Sequence, residues 1–103
     1  MIPGFIEESE MQELTTKCAV AWRNAYAYTH DGELDVADTH NQEVRRIITE
    51  NEEVLKVYLK PYIDLDEEKR KGWASGNEND RRQVASLLIV FEKEKQNEKD
   101  KIS

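Results

Sequence analysis

Between His30 and His40 the sequence places two imidazoles and four carboxylates, those of Asp31, Glu33, Asp35 and Asp38, within eleven residues. Histidine and carboxylate are the side chains with which hydrolytic centres hold divalent cations. The stretch could therefore serve a metal-dependent hydrolase, with His30, Asp31, Asp35, Asp38 and His40 as ligands. It lacks the ordered oxygen ligands and central glycine of a calcium loop, and the two histidines are not at the helical spacing of a zinc protease. Turn and capping chemistry accounts for the same residues: Asp31-Gly32 makes a turn, Asp38 or Thr39 caps a helix, and the others are solvated. That explanation demands less of the residues, and it leads to the expectation of no bound metal and no cofactor.

A second set of carboxylates lies on the flanking segments. Glu10 and Glu13, with Glu50 and Glu53, have a spacing that resembles the paired glutamates with which helical nucleotide pyrophosphatases hold magnesium. A catalytic set of that kind would face the interior of the helices, whereas these four fall beside or opposite the apolar stripes of their segments and are expected on the surface.

Cations gather further along, at Lys56, Lys60, Lys69, Arg70, Lys71, Arg81 and Arg82, with Trp73 among them. Cations neutralise phosphates and an indole stacks on bases, so Lys69, Arg70, Lys71, Trp73, Arg81 and Arg82 are the candidate residues of a nucleotide or small-ligand site within 56–82. Acids are interleaved at Asp64, Asp66, Glu67, Glu68, Glu78 and Asp80, which favours a solvated face over a binding site. The turn before Arg81 is too long for a helix-turn-helix, and nucleic acid is not the expected partner. Trp22, Tyr26, Tyr28, Tyr58, Tyr62 and Phe91 are spaced as core residues with hydroxyls at the rim. Cys18 falls on an apolar stripe with no base beside it in sequence, which suits packing rather than nucleophilic chemistry.

The elements that carry these groups read as helices. Met11, Leu14, Cys18, Ala21, Trp22, Ala25, Tyr26 and Thr29 recur at intervals of three and four, and Ser9 with Gln12 has capping-box spacing, which predicts a helix over 9–29. Gly32 stops it, and the acidic residues through Thr39 read as a loop. Thr39 with Gln42 repeats the box, and Val44, Ile47, Ile48, Val54, Leu55, Tyr58 and Leu59 give a second stripe over 40–60. Asn51 interrupts this stripe, and Pro61 ends or kinks the helix near Leu59. Glu52 and Lys56 are spaced as an ion pair. Asp64 can cap a short helix over 65–71 that Gly72 stops. A last helix starts near Asn77 or Asn79 and runs to Lys95. The residues 96–103 carry no apolar periodicity and read as a disordered tail to a single helical domain over 1–95.

Size and composition bound the whole. With 103 residues, 38% hydrophobic and 36% charged, the chain has enough for one core. One cysteine allows no internal disulfide and suits a reducing compartment. Met1 to Ile6 lack the pattern of a secretion signal, and no apolar run can span a bilayer, so a cytoplasmic protein without membrane contact is expected. Net charge is −7, from 12 acids and 4 bases in residues 1–55 (−8) and 10 acids and 11 bases in residues 56–103 (+1). The acidic half favours a partner with a basic surface.

These readings converge on an all-α, antiparallel bundle of three longer helices and one short one. Its expected role is that of a non-enzymatic protein-protein interaction module, a small acidic regulator, adaptor or inhibitor; phage-encoded inhibitors and immunity proteins share this size and charge. From Val84 to Phe91 the last helix is apolar on nearly every side for two turns. Val84, Ala85, Ile89 and Val90 are therefore the candidate interface, and a two-fold homodimer the simplest way to cover them.

Overall fold

The computed structural model describes residues 7–70 and 75–102. Helix α1 spans Glu8–His30, α2 Leu34–Tyr58, α3 Lys60–Ile63, α4 Glu67–Arg70 and α5 Asn77–Ile102, and among the described residues there is no strand. The fold is all-α, with three long helices and two single-turn helices. None of the described helices is long and apolar enough to cross a membrane.

Helix α1 ends as its glycine requires. Gly32 sits at φ +82, and the amides of Asp31, Gly32 and Glu33 donate back to Ala27, Thr29 and Tyr28. Left-handed backbone at this point costs glycine little and reverses the chain in three residues. The new helix begins at once. The acidic stretch through Thr39 is therefore not a loop: α2 starts at Leu34, and Ala37 already donates to the Glu33 carbonyl at 3.0 Å. Asp35 in the first turn faces the positive end of the helix dipole, and Ala37 is buried. Thr39 caps nothing; its hydroxyl donates to the Asp35 carbonyl at 3.2 Å, while Gln42 donates to Asp38 at 2.8 Å. Ser9 likewise lies inside α1 behind Glu7 instead of capping it.

Asn51 leaves helical geometry, with φ −126 and ψ 20. Its side-chain amide donates to the Ile47 carbonyl at 2.9 Å. That carbonyl is also the helical acceptor for the backbone amide of Asn51, and the side chain bonded back onto it accompanies the kink in α2. Leu59 then breaks the helix (φ −98, ψ 8), and Pro61 opens α3 in its first turn, where its missing N–H costs nothing. This extra helix takes residues that were expected to end α2. Asp64 closes α3 rather than capping α4, and in α4 the amides of Lys69 and Arg70 donate to the Asp66 carbonyl. Gly72, the expected stop, lies outside the described residues. Helix α5 runs past Lys95 to Ile102, through residues read as a tail.

Helices α1 and α2 form an antiparallel hairpin, with Tyr28 stacked on His40 at one end and Tyr58 donating to Gln12 at the other. Helix α5 enters beside Gln12, which donates to Asn77 at 3.1 Å, and runs back along α2 until Lys95 meets Glu52 at 2.8 Å. Cys18, Ala19 and Ala21 of α1 lie against Val44, Ile47, Ile48 and Leu55 of α2 and Val84, Ala85, Leu87 and Leu88 of α5. Each large side chain buried there contributes about 1.5–3 kcal/mol. A buried polar tie joins α1 to α5 beside this core: Arg23 donates to Asp80 at 2.8 Å and to Gln83 at 2.7 Å, with Asp80 only 3% exposed.

Candidate functional site

The candidate interface on α5 is divided by the fold. Val84 and Ala85 are fully buried in the chain's own core and cannot face a partner. The physical reason is that α5 has neighbours on several sides, since α3 and α4 as well as α1 and α2 pack on it. Ile89 is half-buried and Val90 is 47% exposed. Successive helical residues project about 100° apart, so Ile89 and Val90 do not share one face.

Ile89 instead lines an open groove of about 330 Å³ between α5 and the α2–α3 junction. Its apolar residues are Val57, Ile63, Leu88 and Ile89, and its charged residues are Lys56, Lys60, Asp64 and Glu92. Val57 is 78% exposed, the most exposed of the large hydrophobic side chains in the described core helices. It stands on α2 two residues before the Leu59 break. The charges around it are held in exposed pairs: Lys56 with Glu52 at 3.1 Å and Glu92 at 3.7 Å, and Lys60 with Asp64 at 3.5 Å. The Glu52 carboxylate raises the Lys56 ammonium above its ordinary range, and hydrogen bonds from Lys95 and then Lys56 lower Glu52.

The basic cluster is not assembled into one site among the described residues. Arg70 donates to the Ile63 and Leu65 carbonyls, securing the chain after α3. Arg81 lies over the Tyr58 ring and donates to its hydroxyl at 3.1 Å; hydrogen bonding to Tyr62 and then Tyr58 raises its guanidinium above the ordinary range. Arg82 pairs with Glu78 at 2.8 Å, and Lys69 is exposed. Lys71 and Trp73 lie outside the described residues.

The stretch from His30 to His40 is split between the end of α1, the turn and the first turns of α2. Asp31, Asp35 and Asp38 point to solvent and His40 rests on Tyr28, with ring centroids 5.4 Å apart. Among the described residues no three His, Cys, Asp or Glu side chains converge as metal ligands. Glu10, Glu13, Glu50 and Glu53 are all exposed, and Glu50 receives Arg46 at 2.9 Å. Cys18 is fully buried, and burial, followed by the Glu43 carboxylate, pushes its thiol up to about 12. A thiol so placed stays protonated at neutral pH and does not act as a nucleophile.

Sequence reasoning missed Val57, Ile63 and the groove they line. The available signal was Val57 itself, a valine displaced from the stripe of Val54, Leu55, Tyr58 and Leu59 and directly before a proline-marked break. Compared with protein-family models, with curated proteins and with solved structures, the chain matches none.

Proposed function

We propose that this chain is a non-enzymatic helical interaction module, a small acidic regulator, adaptor or inhibitor of the cytoplasm, which engages another protein through the groove between α5 and the α2–α3 junction. The observation that supports this reading is the exposure of Val57 over an apolar floor of Ile63, Leu88 and Ile89. Apolar side chains clustered in a concave surface and rimmed by charge have the make-up of an interface centre. Burying Val57 alone would contribute about 1.5 kcal/mol to association.

The experiment is site-specific photocrosslinking in the native host. A photoreactive amino acid at Val57 should give a discrete protein adduct that the same probe at exposed Glu13 on α1 does not. Equal adducts at both positions, or none at Val57, would refute the groove as the interaction surface.

A further inference from the structure

We propose that the occupant of this groove is a second copy of the chain, seated by a two-fold axis; the inference rests on the reading of the groove as the interaction surface. What singles out a second copy is the charge on the rim. The chain as a whole carries −7, yet the groove is bordered by two cations, Lys56 and Lys60, and two anions, Asp64 and Glu92. A basic partner selected by the acidic surface would find no net attraction here and would meet the two lysines. An occupant must instead present apolar side chains between charges of both signs.

The same surface turned through a two-fold axis has that composition. In an isologous contact, if residue i of one copy meets residue j of the other, then j meets i. Lys60 stands on the α3 wall and Glu92 on the α5 wall, so one rotation that brings Lys60 of each copy to Glu92 of the other forms two ion pairs at once. The proposal requires that Val57 and Ile89, which line the same groove, come to lie between the copies. The side chains are free to exchange partners: Lys60 is 73% exposed and Glu92 61% exposed, in pairs of 3.5 and 3.7 Å within the chain.

Salt distinguishes this occupant from a basic one. Two copies of net charge −7 repel each other outside the neutral patch, and screening relieves that repulsion, since the Debye length falls from about 30 Å at low salt to about 8 Å at physiological ionic strength. Two exposed ion pairs contribute little and so lose little by screening, and self-association through the groove tightens as salt rises, whereas binding of a basic surface weakens.

The test is sedimentation equilibrium of the full chain from low to high micromolar concentration, at low and high salt, with the variants Lys60→Glu and Glu92→Lys. Both positions are exposed, and circular dichroism shows whether each variant keeps its helices. The wild type should dimerise, more tightly at high salt. Each single variant sets two like-charge contacts across the axis and should weaken its own dimer roughly tenfold. An equimolar mixture of the two restores both ion pairs and should form a one-to-one heterodimer as tight as the wild type. A monomeric wild type at high micromolar concentration overturns the proposal, as does a mixture no tighter than the single variants. In either case, a Val57 crosslink to a different protein would leave the interaction-module reading standing, while the lack of any crosslink would remove both.

Discussion

Replacing Asp80 by alanine tests the polar tie between α1 and α5. Asp80 accepts from Arg23 at 2.8 Å, and the two side chains retain only 4% and 18% of their exposure. Without the carboxylate, the guanidinium keeps the Gln83 carbonyl oxygen at 2.7 Å but is left with a largely buried positive charge. Removing one member of a buried pair costs about 3–5 kcal/mol, and the residual access of Arg23 to water places Asp80→Ala near the lower figure, about 3 kcal/mol. For a domain of this size each kcal/mol lowers Tm by about 4 °C or more, so thermal unfolding followed by circular dichroism should show a fall of about 12 °C. The solvent-screened ladder of Arg46 with Glu43 and Glu50 is the control, because Arg46→Ala should leave Tm nearly unchanged. Exchanging both partners for apolar residues, Arg23→Met with Asp80→Leu, should recover most of the loss. A fall of under about 4 °C for Asp80→Ala would show that the pair is already solvated and does not join the helices as described.

Three further outcomes are expected. Because the Cys18 thiol is held near 12 in the folded chain and ionises near 9.0 once exposed, the folded state keeps a proton that the unfolded state releases. Its stabilisation is complete below pH 9 and is lost as pH rises towards 12, with a slope of at most about 1.4 kcal/mol per pH unit. Denaturant titrations should therefore give Cys18→Ala a shallower alkaline decline than the wild type, and parallel declines would refute this. Leu88→Glu should unfold the chain while Ile89→Glu leaves it helical, since Leu88 is 3% exposed and Ile89 only half-buried; a folded Leu88→Glu protein would place the core elsewhere. Truncation after Lys95 should shift Tm by no more than a few degrees, because residues 96–98 are exposed and the tie from Lys95 to Glu52 is retained; a collapse would show that the end of α5 docks.

The helices were legible in the sequence wherever burial is periodic. Met11, Cys18 and Ala21 announce α1, and Val44, Ile47, Ile48 and Leu55 announce α2, because each buried face repeats every three or four residues. Residues 34–39 were not legible for the opposite reason: Leu34 and Val36 are exposed and Ala37 alone is buried. Their aspartates, which suggest a loop by composition, suit a helix start by electrostatics. Residues 96–102 also lack apolar periodicity, and the exposed residues 96–98 leave no pattern to read. Asn51 was visible as an anomaly, but only the structure shows its side chain taking the Ile47 carbonyl. The interface residues on α5 divided because α3 and α4 cover what three long helices would have left bare. Val57 stands off the apolar stripe, but its displacement marks a groove only once Ile63 and Ile89 are known to lie beside it.

The tight joint at Gly32 also governs how the molecule comes together. With three residues between α1 and α2, the two longest stretches of core begin next to each other in the chain, and the entropy lost in closing so short a loop is small. Helix α5 is in the opposite position: its polar ties reach back 57 residues to Arg23 and 65 to Gln12. A chain wired this way has most of its contacts close to hand and belongs among the helical domains that fold in microseconds to milliseconds. Because the groove has one wall on α2 and α3 and the other on α5, it exists only where α5 has packed against them.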